Sequence, residues 1–246
     1  MDNREVVGVS AEIAIADEFG VPVPDDYRRR GDKTIINSIR PFVREAFVNE
    51  GLAFPIEFVG EHQSIVDFVL QNGESLSVKT NVSRLDKVAP QKIGQPTINT
   101  YFEYLSNRFS FDLNDILNEL HLQDSPESRK YVFKKYSIDN ICCMLDEYWV
   151  HLFECDHYIH FYRILNKNGI ITNNCKYIVL NGLPLRPVWD REKITFTKSV
   201  DTWNVSCTVK YDGIGIGEFE VHQSRNCLKF RFNIRGILKL LNRELI

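Results

Sequence analysis

The chain has 246 residues, of which 43% are hydrophobic and 26% are charged. This composition is typical of a packed globular protein and excludes an intrinsically disordered chain. No apolar run approaches the roughly 18 residues that a membrane-spanning helix needs. The acidic and mixed N-terminus, residues 1–5, lacks the basic-then-apolar plan of a signal peptide. We therefore expect a soluble, cytoplasmic protein.

The charge of the chain is unevenly distributed. The net charge is −3, but the segment from Lys176 to Ile246 holds 12 Lys/Arg and 7 Asp/Glu, whereas the first 175 residues hold 18 and 26. A basic C-terminal part beside an acidic remainder is compatible with binding a polyanion through one face. A chance distribution would give the same balance, so the charge alone assigns no partner.

The six cysteines lie in apolar stretches, and a chain of this length without an export signal favours free thiols over a disulfide framework. The segment 142–160 is rich in cysteine and histidine, yet it contains neither the C-x-x-C pair nor the H-x-x-x-H spacing of a zinc site. Buried structural cysteines are the favoured interpretation, and zinc is the weaker alternative.

The N-terminal part of the chain predicts two helices. The first spans residues 5–19 and ends at Gly20. The second runs from about residue 37 to residue 50, with Pro41 in its first turn and Gly51 as its stop.

The rest of the chain predicts strands, then helices, then strands again. Three strands are predicted at 55–60, 64–70 and 75–80, and helices cover 98–108 and most of 112–153. Beyond them we predict strands at 157–164, 176–180, 193–198, 204–211, 214–222 and 227–233, and a closing helix at 235–245.

This order of elements predicts an α/β (α+β) fold. Residues 1–155 would form a core with a helical segment, and residues 156–246 a β-rich, basic C-terminal part packed on that core as one domain. No linker rich in Gly, Pro or Ser separates the two parts.

The predicted hairpin 64–80 contains the candidate catalytic residues. Its loop ends in Asn72-Gly73, a pair typical of tight hairpin turns. A two-residue loop would put Asp67 and Lys79 on opposite faces of the sheet, because loop length fixes register. A three-residue loop, with Gly73 in the left-handed position, would put Asp67 directly opposite Ser77 and on the same face as Lys79.

An Asp and a Lys on one face of otherwise apolar strands have two interpretations. One is a surface ion pair on a half-exposed sheet. The other is a hydrolytic centre in which Asp67 holds a hard divalent cation while Lys79 positions or deprotonates an attacking water. The second interpretation requires the three-residue loop.

Val66-Asp67, nine intervening residues and Ser77-Val78-Lys79 resemble the PD-(D/E)xK nuclease motif, with Val in place of the Pro. Residues 8–14 on the first helix resemble the G-x-x-x-E pattern common in that superfamily, and the order of helix, strand, hairpin and following helix is also similar. The resemblance covers mainly residues 8–105. It implies a restriction-endonuclease-like core, a mixed central sheet flanked by helices, in which Glu12 reaches the metal site.

The chain departs from this motif at one position. The superfamily's usual second acid, two residues before the lysine, is Ser77 here. The resemblance implies that a carboxylate from elsewhere replaces it: Glu12 is the first choice, Glu50 the alternative on the apolar face of the second helix, and Glu103 a third candidate. It also implies that Gln91 and Gln95, which follow the motif, line the catalytic cleft.

Two basic groups are candidates for contact with DNA. Arg28, Arg29 and Arg30 form a cluster that is either a solvated loop or a set of phosphate contacts. Lys229 and Arg231 alternate with apolar residues on a predicted strand. Cross-strand pairing with Glu220 and Glu218 would explain the charges of that strand without DNA, and we favour this explanation.

The resemblance implies a Mg²⁺-dependent endonuclease that hydrolyses double-stranded DNA, of the type II restriction kind. Asp67 and Glu12 would be the metal ligands, Lys79 the water-orienting residue, and Ser77 a hydrogen-bonding member of the site. A cognate DNA methyltransferase is expected in the same system but not as a bound subunit, and the enzyme is either a monomer or a homodimer. The alternatives are a repair or recombination nuclease of the same superfamily and a catalytically silent DNA-binding module.

Overall fold

The computed structural model describes residues 3–60, 64–182, 186–222 and 224–242. The chain forms two compact units. Unit 1 comprises Met1–Asp86, Phe153–Leu185 and Glu244–Ile246, and unit 2 comprises Lys87–Leu152 and Arg186–Arg243. This division differs from the predicted one at residue 155, because residues 156–182 belong with the N-terminal segment. Within the described ranges, no helix combines the length and the apolar character needed to cross a membrane.

The helices, numbered in chain order, are α1 Asn3–Phe19, α2 Asp25–Arg28, α3 Lys33–Asn49, α4 Ile98–Arg108, α5 Leu113–Glu119, α6 Pro126–Asp139, α7 Ile141–Phe153 and α8 Ile234–Leu240. The strands are β1 Pro55–Phe58, β2 Phe68–Leu70, β3 Ser75–Thr80, β4 Lys87–Val88, β5 His157–Tyr162, β6 Lys176–Asn181, β7 Ile194–Phe196, β8 Ser206–Tyr211, β9 Ile214–Val221 and β10 Leu228–Asn233. Residues 243–245 of the predicted closing helix lie outside the described ranges.

The second long helix begins earlier than predicted. The Asp32 side chain caps α3 by accepting hydrogen bonds from the backbone N–H groups of Thr34 and Ile35. Pro41 therefore lies inside the helix rather than in its first turn. The predicted ends of both helices are confirmed: Gly20 directly follows α1, Gly51 follows the Glu50 C-cap of α3, and they have φ of 73° and 64°, the left-handed conformation that terminates helices.

Unit 1 is built on a mixed sheet with the strand order β1-β2-β3-β5-β6. The β3–β5 pair is parallel and the other pairs are antiparallel. Helices α1 and α3 pack on each other and against this sheet. Their shared core includes Ile39, Val78 and Phe161, which are at most 3% exposed. The predicted mixed sheet flanked by helices is confirmed.

Unit 2 contains a second five-stranded sheet, which is antiparallel throughout and has the order β4-β10-β9-β8-β7. An aromatic core joins this sheet to helices α6 and α7. Tyr148 stacks on Phe230 with ring centroids 4.1 Å apart, and Phe133 meets Phe219 edge-on at 5.7 Å. Rings of this size bury large apolar areas and stabilise the unit by packing.

Candidate active site

The hairpin between β2 and β3 has the three-residue loop that the candidate chemistry requires. Phe68 pairs with Leu76, and the backbone N–H of Leu70 donates to the carbonyl of Glu74 at 2.8 Å. Gly73 has φ of 83°, the left-handed conformation of a hairpin bulge. This register sets Asp67 opposite Ser77 and on the face of Lys79, so the predicted juxtaposition is confirmed.

Asp67 is buried, at 4% exposure, just before β2 begins. The hydrogen bonds of its carboxylate with the described residues all involve one oxygen. Oδ2 accepts from the backbone N–H of Val78 at 2.6 Å, from Ser77 Oγ at 3.4 Å and from Lys79 Nζ at 3.4 Å. Oδ1 accepts none from the residues that the structure describes. One oxygen is thus fixed by the sheet, while the other keeps its lone pairs for a ligand.

Gly60 keeps the space beside Asp67 Oδ1 open. A Cβ atom at this position would stand 3.2 Å from Oδ1 and 2.8 Å from the ring of Phe58. Both distances are shorter than ordinary van der Waals contact. A side chain at residue 60 would therefore crowd the one carboxylate oxygen that the sheet leaves without a hydrogen bond.

Glu12 brings a second carboxylate to this site from α1. Its Oε2 accepts a hydrogen bond from the hydroxyl of Tyr27, while Oε1 accepts none from the described residues. Burial raises the pKa of Glu12 to about 8, and repulsion by the Asp67 carboxylate adds to the rise. The Tyr27 hydroxyl and the Lys79 ammonium act in the opposite direction. Glu12 therefore lies within electrostatic range of both motif residues, and its role as a metal ligand stays a prediction.

Burial also raises the pKa of Asp67, although the Lys79 ammonium and the Val78 N–H favour its charged form. Two buried carboxylates that resist ionisation suit a bound cation, because a cation removes both the desolvation cost and the repulsion. Carboxylate oxygens are the ligands that Mg²⁺ takes, one or two from the protein and the rest from water and phosphate. The donor set therefore fits Mg²⁺.

Lys79 is the cation of this cluster. Its side chain is 12% exposed, and its ammonium lies at the limit of hydrogen-bond distance from Asp67 Oδ2. In the parallel pair β3–β5, Lys79 lies opposite His160 and Ser77 opposite Tyr158. These four side chains share the face of Asp67, since side chains alternate along a strand.

The two other carboxylates proposed from the sequence are exposed. The prediction that Glu50 lies on the apolar face of the second helix is wrong: α3 ends at Asn49, and Glu50 is an exposed C-cap residue that raises the pKa of Tyr177 on β6. Glu103 is exposed on α4 in unit 2. Glu12 is the acid of the three that interacts with Asp67 and Lys79.

The arginine cluster has acidic partners on α1. Arg28 pairs with Asp17 at 2.7 Å, and Arg30 pairs with Glu5 at 2.9 Å while lying over the ring of Tyr27. Arg29 is exposed and has no acidic partner within the described residues. Part of the cluster lines an open cleft of about 710 Å³, whose walls include Asp17, Asp25, Arg28, Arg29, Lys33 and Asn37.

The ion pairs predicted on the last hairpin are confirmed. Lys229 lies opposite Glu220 and Arg231 opposite Glu218, with N–O distances of 3.7 Å and 3.2 Å. Arg231 also contacts Glu220. These contacts account for the two basic residues within unit 2 and leave any contact with DNA as a prediction.

Gln91 and Gln95 also belong to unit 2. Gln91 is partly buried, and its backbone N–H donates to the carbonyl of His151 at 2.9 Å. Gln95 is exposed. Their place in a catalytic cleft stays a prediction.

The zinc alternative finds no support in the described residues, among which no three His, Cys, Asp or Glu side chains converge as metal ligands. All six cysteines are free. His157 pairs with Glu74 at 2.7 Å, and His151 contacts the Tyr104 hydroxyl at 2.7 Å. These two histidines thus have separate partners.

Three residues of the site were not predicted from the sequence. Tyr27 directly precedes the arginine cluster, and its hydroxyl donates to Glu12. Tyr158 and His160 lie on β5, about 80 residues after the motif, and only parallel pairing brings them beside Ser77 and Lys79. Alternation within the segment HYIHFY was the one available signal, since it puts Tyr158 and His160 on a common face.

Comparison with known proteins finds a similar curated protein. The chain is 32% identical over 176 residues to a protein named "Type II restriction enzyme CviAII" from Paramecium bursaria Chlorella virus 1. The matched region is 71% of this chain but only 43% of that relative, so the chain spans less than half of the relative's length. No protein-family model and no solved structure matches the chain. The chain is thus related to a restriction enzyme over most of its own length.

Proposed function

We propose that this chain is a Mg²⁺-dependent endonuclease that hydrolyses phosphodiesters of double-stranded DNA, and that it is a sequence-specific enzyme of the type II restriction kind. The observation that best supports the proposal is the convergence of buried Asp67 with partly buried Lys79 and Glu12 in unit 1. The similarity to a type II restriction enzyme supports the same activity. The substrate, the cofactor and the sequence specificity are all part of the proposal.

Asp67 Oδ1 and Glu12 Oε1 are the atoms that would hold Mg²⁺, because each lacks a hydrogen bond from the described residues while its partner oxygen is fixed. When bound there, Mg²⁺ supplies Lewis-acid stabilisation of the charge that develops on the scissile phosphate and lowers the pKa of a coordinated water.

Lys79 would hold the attacking water. An ammonium has three N–H donors, and the described contacts use one of them, toward Asp67. The remaining donors are available to the water and to a phosphate oxygen. Ser77 contributes by its hydroxyl, which donates to Asp67 Oδ2 and so fixes the carboxylate. It does not replace the missing acid of the motif; Glu12 does.

The DNA backbone would contact the cleft lined by Arg28 and Arg29. The exposed guanidinium of Arg29 is the strongest candidate, since Arg28 and Arg30 already pair with carboxylates on α1. The assignment of Gln91 and Gln95 to the catalytic cleft stays a prediction from the resemblance, and Lys229 and Arg231 would be secondary contacts because their charges are matched by glutamates. A cognate methyltransferase would protect host DNA without being a bound subunit, and the protein would act in the cytoplasm.

Incubation of the chain with plasmid DNA and Mg²⁺ tests this proposal. Discrete fragments are the expected result. A smear would indicate a repair or recombination nuclease of the same superfamily. No cutting at any divalent-ion concentration would contradict the enzyme assignment and favour a catalytically silent DNA-binding module.

A further inference from the structure

His160 is an unexplained buried polar residue beside the candidate active site. Its side chain is 0% exposed, and its Nε2 has no hydrogen-bond partner among the described residues. A buried donor or acceptor left without a partner costs roughly 1–3 kcal/mol, so such a group in a folded protein calls for an explanation.

The other ring nitrogen of His160 is fixed. Nδ1 lies 2.8 Å from the hydroxyl of Tyr158, which is also 0% exposed. Burial keeps that hydroxyl protonated by raising the pKa of Tyr158. Among the described contacts, Nδ1 is the acceptor that this hydroxyl can reach, which favours the tautomer in which Nδ1 carries the lone pair.

In this tautomer the proton of the ring resides on Nε2. Burial lowers the pKa of His160 to about 3, and the Lys79 charge contributes to the decrease, so the ring is neutral near pH 7. A neutral imidazole whose Nδ1 accepts has an N–H group at Nε2. This N–H is a second donor beside the Lys79 ammonium, since Lys79 and His160 are register partners on one face.

Two adjacent donors, the Nε2–H of His160 and the N–H groups of Lys79 that do not point to Asp67, suit an anionic oxygen. We propose that the Nε2–H of His160 is a substrate-binding donor, which hydrogen-bonds a non-bridging oxygen of the scissile phosphate, directly or through one water, next to Lys79. This inference rests on the proposed function, because it assigns a further residue to the same site. Tyr158 would act as a positioning residue that fixes the ring's tautomer.

The tautomer can be measured on the wild-type protein. NMR spectra of ¹⁵N-histidine-labelled protein should show an unprotonated Nδ1 and a protonated Nε2 for His160, assigned by comparison with the His160→Gln variant. The opposite tautomer would overturn the proposal, whether or not the protein cuts DNA. Addition of a duplex carrying the mapped cleavage site, with Ca²⁺ in place of Mg²⁺, should shift the Nε2–H resonance. An unchanged resonance on a duplex that binds would contradict contact with the phosphate.

Single-turnover cleavage tests the role in the reaction. His160→Leu, which removes the donor, should slow cleavage by about 10²-fold, as loss of one transition-state donor does in other enzymes. His160→Gln retains an N–H donor and should recover part of that loss, whereas KM should change little. Equal rates for wild type and the leucine variant would overturn the proposal. An inactive wild type would instead indicate failure of the proposed function.

Chemical rescue separates a donor from a packing role. In His160→Gly, added imidazole can both accept from Tyr158 and donate to phosphate, but 1-methylimidazole fills the cavity without an N–H. Rescue of cleavage by imidazole alone is the expected result. Equal rescue by both compounds would indicate packing and overturn the proposal. If His160→Gly fails to fold, the tautomer measurement and the cleavage rate of His160→Gln test the proposal instead.

Discussion

The Asp67 carboxylate raises the pKa of Glu12, which joins a residue of α1 to a residue beside β2 in a single electrostatic unit. The two acids are 55 positions apart in the sequence. Each has one oxygen fixed by a hydrogen bond and one without a partner among the described residues. The arrangement is unfavourable for two negative charges and favourable for a cation between them.

Binding of Mg²⁺ should release a proton from Glu12. The pKa of this carboxyl is raised to about 8 without metal, so it is largely protonated at pH 7. A metal ligand must be deprotonated, and Mg²⁺ affinity should therefore rise as the pH increases toward 8. Isothermal titration calorimetry at pH 7, in two buffers of different ionisation enthalpy, measures the released proton. Glu12→Gln should release none, and buffer-independent heats in the wild type would contradict the assignment.

Replacement of either motif residue should abolish cleavage without abolishing DNA binding. Lys79→Ala removes the group that orients water, a contribution of about 10²–10⁴-fold in rate for comparable roles. Asp67→Ala removes a metal ligand and should reduce cleavage at least as far. Single-turnover rates measure cleavage, and gel-shift assays with Ca²⁺ measure DNA binding separately. Lys167→Ala, an exposed lysine of unit 1, is the control and should cleave normally. Full activity of either motif variant would refute this active site.

Tyr27→Phe should shift the pH dependence of cleavage to higher pH. The hydroxyl of Tyr27 lowers the pKa of Glu12, so its loss should raise that pKa above about 8 and delay formation of the carboxylate. Phenylalanine keeps the aromatic packing against Phe58, whose ring centroid lies 4.8 Å away. The pH profile of kcat/KM for variant and wild type measures the shift. An identical profile would show that Tyr27 does not act through Glu12.

His160 should make the protein less stable in acid. Its folded pKa of about 3 lies below the ordinary value of 6.5, so the unfolded chain binds a proton that the folded chain does not. The free energy of unfolding should thus fall as pH decreases from 6.5 toward 3, by up to about 1.4 kcal/mol per pH unit. Urea unfolding of the wild type and of His160→Gln at several pH values isolates this contribution. If the free energies of unfolding of the two proteins change in parallel with pH, the predicted contribution of His160 is contradicted.

Arg29→Ala should weaken DNA binding and reduce its salt dependence. A contact to one phosphate contributes about one unit to the slope of log K against log salt. Arg29 is exposed beside the cleft and has no acidic partner in the described part of the chain, so its removal leaves no unpaired carboxylate. Binding measured at several salt concentrations checks the slope. Lys167→Ala should leave the slope unchanged, and an unchanged slope in Arg29→Ala would remove this residue from the interface.

The sequence by itself determined the local elements and the core of the site. Alternating apolar residues predicted most strands, and the Asn72-Gly73 loop restricted the hairpin to two registers, one of which aligns Asp67 with Lys79. The structure shows that register, in which Phe68 pairs with Leu76 and Gly73 adopts a positive φ. Local signals suffice here, since the register of a hairpin depends on a few neighbouring residues.

Only the tertiary structure decided which distant residues join Asp67 and Lys79. The sequence left Glu12, Glu50 and Glu103 as rival acids, and the packing of α1 on the sheet brings Glu12 into range, while Glu50 and Glu103 are exposed. The parallel pairing of β3 with β5 adds His160, which no local pattern connects to Lys79. Pairing across about 80 residues depends on the whole chain's burial of apolar surface, and the local sequence does not encode it.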